Sequence, residues 1–364
     1  MEVLPSLTVP PQLHAVDFFC GAGGMTEGLK QAGIHVCAGV DIDKNVRATY
    51  EANHGTNLFH EKDVRRCSGH DVRTWLPEGT DADDLVLIGC SPCQFWSRMP
   101  SPKARSLEGS QLLHEFARIV AETLPGYVVI ENVPGLMKAG RKTVLQPFVA
   151  RLKELGYGAV DHGKVNSAWF GVPQLRPRLV LVASRHHDTI TLPPHDTALR
   201  PTVREFIGVE NGFRALAAGQ RDAKDPWHRA AALSSDNLKR IALTPPDGGD
   251  RSAWSDTDLQ LETYKEHDGF ANVYGRMWWD RPAATLTTRF NSLSNGRFGH
   301  PEEDRAISIR EGATLQTFPR NYQFIGGSPT VCRQIGNAVP PRLARAIGEH
   351  LLNLHVSRPG QTLP

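Results

Sequence analysis

Asp84-Leu85-Val86-Leu87-Ile88-Gly89 runs directly into Cys90-Ser91-Pro92-Cys93-Gln94. The apolar run has the length and branched composition of a strand buried on both faces, as parallel strands between helical layers are. A thiol just past the carboxyl end of such a strand lies where open α/β sheets bind their ligands. A second run, Tyr127-Val128-Val129-Ile130, ends in Glu131-Asn132-Val133-Pro134. Two neighbouring strand ends would offer a nucleophile and an acid to one crevice.

Outward from these runs the first half of the chain alternates. Ala15-Phe19, Val36-Val40, Leu85-Ile88, Tyr127-Ile130 and Leu179-Ala183 read as strands, and Met25-Gln31, Asn45-Asn53, Leu112-Leu124 and Arg141-Leu155 as helices. This rhythm predicts an α/β fold with a doubly wound sheet. Beyond Ser184 the texture becomes rich in Pro, Gly, Asp and Arg, with equal numbers of basic and acidic residues between 185 and 300. Regular patterning returns at Ile307-Arg310 and in a last helix, Pro341-Leu354. The expected division is a main domain from 13–184 and 301–356, interrupted by a smaller, loop-rich domain over 185–300. Between Ser97 and Ser110 the sequence reads as a polar loop carrying Arg98, Lys103 and Arg105. Such a loop is either a lid beside the thiol or a solvated surface loop.

Composition narrows the class. The chain has 364 residues, is 40% hydrophobic and carries a net charge of +2. No apolar run reaches membrane-spanning length, and Met1 to Gln12 lacks the basic and apolar regions of a signal peptide, so a cytoplasmic protein is expected. The six cysteines give no disulfide framework. Only Cys90 and Cys93 form a Cys-x-x-Cys pair, no second pair completes a zinc site, and no metal is expected. Near-neutral charge does not announce a nucleic acid, although a local groove is enough to bind one.

Asp17-Phe18-Phe19-Cys20-Gly21-Ala22-Gly23-Gly24 joins the first strand to the first helix, where glycines let the backbone approach a cofactor. The dinucleotide fingerprint is incomplete, since Thr26 stands three residues after Gly23. Asp41 ends the second strand, where a carboxylate accepts from ribose hydroxyls, and Asp63-Val64 follows the third strand, where it can meet an adenine edge. A nucleoside cofactor without pyrophosphate, such as S-adenosyl-L-methionine, fits this set better than NAD. Cys93 has three readings: a buried structural cysteine, half of a redox pair with Cys90, or a nucleophile that needs activation because a free thiol is mostly protonated at neutral pH. Glu131, held at a strand end, suits a general acid that carries a proton to a ring nitrogen.

Taken together these segments closely resemble the DNA (cytosine-5)-methyltransferase family of bacterial restriction-modification type. The resemblance rests on Asp17-Gly24, on Gly89-Ser97 with its Pro-Cys-Gln, on Glu131-Asn132-Val133 and on Gln174-Leu175-Arg176-Pro177-Arg178. It continues through Arg281-Thr287 and Arg310-Pro319 to Gln334-Ile335-Gly336-Asn337-Ala338-Val339-Pro340-Pro341. These blocks stand in order over about residues 15–350. The resemblance implies a Rossmann-like methyltransferase sheet with an inserted target-recognition domain. It implies Cys93 attack on C6 of a flipped cytosine, Glu131 at N3 and the amine, and Arg178 on the base with Arg176 beside it, although either arginine has a structural alternative. It implies cofactor contacts from Phe19, Gly21, Gly23, Gly24, Asp41, Ile42, Asp63, Val64, Pro92, Asn337 and Val339. Double-stranded DNA is the implied partner, touched by Ser97, Arg98 and Arg105 and, in the insert, by Arg289 and Arg297. A cognate restriction endonuclease or another defence protein is a further possible partner, no membrane partner is expected, and the chain is expected to be a monomer. The last helix is expected to return beside the first strand.

Three rival readings differ in testable ways. A tRNA cytosine-5 methyltransferase on the same fold carries a Cys-Phe-Thr signature that this sequence lacks. A catalytically inactive DNA-binding regulator would not need Cys93 and Glu131. A Cys90/Cys93 oxidoreductase would need a thiol reductant and no S-adenosyl-L-methionine. The target sequence itself is not legible, because it is set by side chains of the insert in the DNA grooves.

Overall fold

The computed structural model of the chain describes residues 12–91, 102–137, 145–262 and 272–359, and of residues 102–110 the backbone only. The first half builds β1 (His14–Phe18), α1 (Gly24–Ala32), β2 (His35–Asp41), α2 (Arg47–His54), β3 (Phe59–Glu61), α3 (Gly69–Trp75), β4 (Leu85–Gly89), α4 (Pro102–Thr123), β5 (Tyr127–Asn132) and α5 (Leu145–Glu154). Then follow β6 (Ala159–Asn166), β7 (Gln174–Leu175), β8 (Pro177–Ser184), α6 (Arg204–Ile207), α7 (Ser235–Leu243), β9 (Ala283–Ala284), α8 (Ile309–Leu315), α9 (Ser328–Asn337) and α10 (Pro341–Val356).

Seven strands form one sheet in the order β3-β2-β1-β4-β5-β8-β6. The first five are parallel neighbours, while β8 runs antiparallel to both β5 and β6. The chain winds outward in one direction from β1 to β2 and β3, and in the other from β1 to β4 and β5. The switch point therefore falls between β1 and β4, and the crevice outside their carboxyl ends is the natural ligand site of such a sheet.

Every residue of β4 and β5 is buried, which is why these strands read as unbroken apolar runs. Val16, Phe18, Leu87, Val128 and Ile130 face one helical layer, with Phe116 of α4 and Phe148 and Leu152 of α5. Ala15, Val86, Ile88 and Val129 face the other, with Met25 and Leu29 of α1 and Leu343, Ile347 and Leu351 of α10. The last helix thus returns to the first strand, as the sequence implies. A Cβ on Gly28 would lie 2.3 Å from the Pro341 carbonyl oxygen and 2.4 Å from Ala344 Cβ, so the glycine sets how closely α1 and α10 approach.

A further core gathers Val203, Phe213, Met277, Trp279, Phe290 and Phe298 with Ile307, Ile309, Leu315, Phe318, Val331 and Ile335. Residues 307–335 therefore pack with the segment that precedes them, whereas Val339 to Leu351 pack on the sheet. Inside this core Arg305 pairs both Nη atoms with the Glu311 carboxylate at 2.8 Å, and both side chains are fully buried. Glu311 also closes a capping box with Ser308 at the start of α8. Although burial opposes its charge, Arg305 holds the Glu311 carboxyl at about 2.

Helices α3, α7 and α9 and the short strands β7 and β9 were outside the sequence reading, and two further elements differ from it. The expected polar loop over Ser97-Ser110 is helical from Pro102 onward. Proline is well suited to a first helical turn, and Lys103-Ala104-Arg105-Ser106-Leu107-Glu108 is rich in helix formers, so Gly109 is carried within the helix. Strand β6 was not anticipated: it is a sheet edge paired only with β8, and Asp161, His162, Gly163 and Lys164 give it no apolar run.

Gly28→Ala is expected to lower the melting temperature by a few degrees. Overpacking against backbone costs about 1–3 kcal/mol, more than the helix-propensity gain of roughly 1 kcal/mol. A melting temperature equal to or above that of the parent chain would show that α10 is free to slide away from α1.

Candidate active site at the carboxyl edge of the sheet

The turn after β1 is built from left-handed residues: Phe19 at φ 61°, Gly21 at φ 53° and Gly23 at φ 86°. A non-glycine residue in this region is strained, and such strain persists where the surroundings impose it. Nothing lies within 4 Å of where a Gly21 Cβ would be, so conformation and not crowding calls for glycine there, and open space lies beside it. Gly23 is the N-cap of α1. A Cβ on Gly24 would stand 2.3 Å from the Val339 carbonyl oxygen, so its bareness admits the returning chain.

Asp41 closes β2 beside this turn. Its Oδ2 accepts from the Gly21 N–H at 2.9 Å and its Oδ1 from the Asp43 N–H at 2.8 Å. Burial raises its pKa, against the pull of these amides. A carboxylate has further acceptor capacity for hydroxyls. Ile42, next in the chain, is 61% exposed, an uncovered apolar side chain at the same edge. Asp63 caps the turn after β3, accepting from the Arg65 N–H at 3.0 Å and pairing with the Arg65 guanidinium at 2.6 Å. The Val64 side chain lies in the sheet core, which limits its part in any ligand site to its backbone. Asn337 is exposed at the end of α9, and Val339 is buried against the sheet. These groups fit a nucleoside: a carboxylate for ribose, an apolar wall, and a Gly-Ala-Gly-Gly turn with no basic residue to hold a phosphate.

Asp17, to which the sequence reading gave no separate role, sits fully buried in β1. Its Oδ2 accepts from Thr26 Oγ1 at 2.8 Å, and that hydroxyl lies 3.0 Å from the Tyr50 hydroxyl. Burial pushes the Asp17 carboxyl up to about 7. An aspartate inside an apolar strand, Ala15-Val16-Asp17-Phe18, was the available signal.

At the end of β5, Glu131 Oε1 stands 2.9 Å from Arg178 Nε, and both side chains are buried. Burial raises the Glu131 pKa, while Arg178 and then Arg176 pull it down. Neighbouring Asn132 donates from Nδ2 to the Ser91 carbonyl at 3.0 Å and to Ser91 Oγ at 2.8 Å, and its Oδ1 accepts from the Val133 N–H at 2.8 Å. The chain is thus clamped two residues before Cys93, beside the carboxyl group. Asn132 entered the sequence reading only as part of a motif, and its clamp is a contact across 41 residues. Cys93, Pro92, Ser97 and Arg98 lie outside the described residues, and Arg105 lies on α4 where the backbone alone is described.

Two arginines sit differently from their expected roles. Arg176 is 2% exposed and donates to the carbonyls of Leu286 at 3.0 Å, Gly336 at 2.8 Å and Ala338 at 3.1 Å, and to Gln174 Oε1 at 3.3 Å. It is a positioning residue for the sheet edge and not a group that reaches a base. Arg297 donates to the carbonyls of Gly248 at 2.8 Å, Gly249 at 3.2 Å and Arg276 at 3.0 Å, and stacks 4.2 Å from the Trp278 ring centroid. Enclosed in this way it is withdrawn from DNA reading, a correction to its place among the expected contacts. Arg289 is exposed, five residues past β9.

Asp17 yields a pH dependence with a defined sign. Its folded pKa of about 7 lies above the ordinary 3.8, so between these values the folded chain holds a proton that the unfolded chain has released. Stability is therefore full below the lower value and falls as pH rises toward the upper one. Each pKa unit is worth about 1.4 kcal/mol, which sets a ceiling of about 4 kcal/mol. Urea unfolding of Asp17→Asn at acidic and alkaline pH should show a flatter profile than the parent and higher stability on the alkaline side. Parallel profiles would remove Asp17 as their source.

The C-5 cytosine-specific DNA methylase family matches residues 13–353. The type II methylase M.HgiDII of Herpetosiphon aurantiacus is 40% identical over 343 residues, covering 92% of this chain and 94% of that protein. The type II methyltransferase M1.HphI of Haemophilus parahaemolyticus is 31% identical over 348 residues, covering 95% and 88%. A crystal structure of a putative prophage-encoded DNA modification methyltransferase from E. coli superposes with a TM-score of 0.70 at 22% identity, covering 94% of this chain and 99% of that one, and so shares the fold. No helix among the described residues is long and apolar enough to cross a membrane. With a doubly wound sheet and a match over nearly its whole length, the chain belongs to the C-5 cytosine-specific DNA methylases and is a DNA (cytosine-5-)-methyltransferase.

Proposed function

We propose that the chain methylates C5 of a cytosine within a specific double-stranded DNA sequence through a covalent adduct on Cys93. The observation that carries this reading is the buried Glu131–Arg178 pair beside the Asn132 clamp on Ser91. S-adenosyl-L-methionine, when bound at the glycine turn, supplies the methyl group. Phe19, Gly21, Asp41, Ile42, Asp63 and Asn337 hold it there, with the Asp41 carboxylate on the ribose.

The target cytosine leaves the duplex, at a cost of a few kcal/mol in unstacking. Cys93 Sγ forms a bond to C6 as Glu131 gives a proton to N3, so that the ring becomes enamine-like and C5 gains the electron pair that takes the methyl. Loss of the C5 proton to a base then re-forms the C5–C6 double bond and expels the thiolate. Arg178 orients Glu131 and bonds the base, while burial keeps the carboxyl ready to carry the proton. The insert, about residues 185–300, reads the sequence with exposed side chains such as Arg289, and Ser97, Arg98 and Arg105 contact the DNA. We assign the chain to a cytoplasmic modification role, as a monomer that shields host DNA from a cognate endonuclease or acts in a related defence system. The type II relatives support this setting.

The test is bisulfite sequencing of DNA from a methylation-free host expressing the chain, with methyl-labelled cofactor assays on DNA and tRNA. One sequence context in DNA should be converted. Cys93→Ser should abolish turnover, and Glu131→Gln should slow it by roughly 10²–10⁴-fold, the usual contribution of a positioned acid. Label entering tRNA instead, or full methylation by Cys93→Ser, would overturn the reading.

A further inference from the structure

At the opposite, amino-terminal edge of the sheet, β1 and β2 bring together three side chains that the methyl-transfer chemistry does not use. His14 and His35 are register partners at the start of the two strands. Their Nδ1 atoms lie 3.2 Å apart, and Cys37 Sγ lies 3.5 Å from His14 Nδ1 and 3.8 Å from His35 Nδ1. The register explains the meeting. Ala15 pairs with Val36 but Val16 pairs with Ala38, so Cys37 is an extra residue in a bulge between parallel strands. Bulges are rare in parallel pairs and serve to re-aim a side chain. Beyond the bulge the alternation of β2 is inverted, with Val36 in one core layer and Ala38 and Val40 in the other.

We infer that His14 Nδ1, His35 Nδ1 and Cys37 Sγ form a binding site for a zinc-class divalent transition-metal ion, with the fourth position open to solvent. A tetrahedral centre with bonds of about 2.0–2.1 Å to nitrogen and about 2.3 Å to sulfur separates its donors by roughly 3.3–3.6 Å. The three observed separations, 3.2, 3.5 and 3.8 Å, bracket that range. Two imidazoles and a thiolate select a borderline or soft metal and not magnesium or calcium. Cys37 is buried, His14 partly buried and His35 exposed, which leaves one side for water. Cys37 binds as the thiolate, so its proton passes to solvent as the metal–sulfur bond forms. The sequence reading expected no metal because no second pair joins Cys90 and Cys93, and the ligands here fit no compact motif: strand pairing joins them across 21 and 23 residues.

The full-length protein, stripped with chelator, should be titrated with Co(II) and then Zn(II). One equivalent of cobalt should give a tetrahedral visible spectrum with a thiolate charge-transfer band, displaced by zinc and accompanied by proton release. Cys37→Ala should lose the charge-transfer band, and His35→Ala, at an exposed position, should weaken binding more than tenfold, while Cys93→Ser should keep both signals. Unchanged circular dichroism would show that each variant is folded. Absence of a cobalt band in the parent, or a band that survives Cys37→Ala or vanishes in Cys93→Ser, would overturn the assignment. None of these readouts depends on methyl transfer.

Discussion

The buried guanidinium of Arg176 is the constraint on which the carboxyl edge of this sheet depends. A cation removed from water is tolerated only when its donors find acceptors. Here the acceptors come from Gln174, Leu286, Gly336 and Ala338, in segments that lie up to 162 residues away along the chain. Gln174 extends the connection: its Oε1 also accepts from the Leu286 N–H, and its Nε2 donates to Gln316 Oε1. Gln316 in turn donates to the Ile335 carbonyl at 2.6 Å. One polar network thus fastens β9, the end of α8 and the end of α9 to the start of β8. Its members recognise backbone carbonyls, so the fit depends on chain path more than on the identity of the residues it holds.

That attachment fixes the electrostatics two residues further on. Arg178 emerges from the anchored start of β8 and meets Glu131 across the β5–β8 pair. Without Arg176 in place the direction of β8 would be set by its sheet pairing alone, and the geometry of a buried ion pair is sensitive to small shifts. Burial and two nearby cations act on Glu131 in opposite directions, which makes its proton affinity a property of the assembled edge. Asp41 ends β2 and Asp17 is buried one residue before the end of β1, so burial raises the pKa of both carboxyl groups at this edge.

The sheet was legible because strands covered on both faces must be apolar throughout, and β1, β2, β4, β5 and β8 begin and end within about two residues of the runs that announced them. The edge strand β6 and the helical start of α4 were not legible. One lacks the burial that writes a hydrophobic pattern, and the other has a polar sequence on a helical backbone. The sites divide along the same line. Glu131 and Asp41 stand at strand ends, where local sequence fixes their position. The duties of Arg176 and Arg297 are decided by carbonyls distant in sequence, and no local pattern distinguishes an arginine that faces DNA from one that closes a fold. The second core shows the same limit, because regular patterning resumes at Ile307-Arg310 yet Ile307 and Ile309 pack with the preceding segment.

Burial also explains why four of the chain's six cysteines are not reactive thiols. Cys20, Cys37, Cys67 and Cys332 are buried, and loss of water raises the pKa of each, to about 11 for Cys37 and Cys67 and about 12 for Cys332. For Cys20 the carboxylates of Asp41 and Asp17 add to the effect. At neutral pH these thiols are protonated, and the thiolate is the form that attacks carbon. Burial and these two carboxyl groups therefore suppress the thiol of the glycine turn. Burial and nearby carboxyl groups thus leave the described buried thiols in their unreactive form.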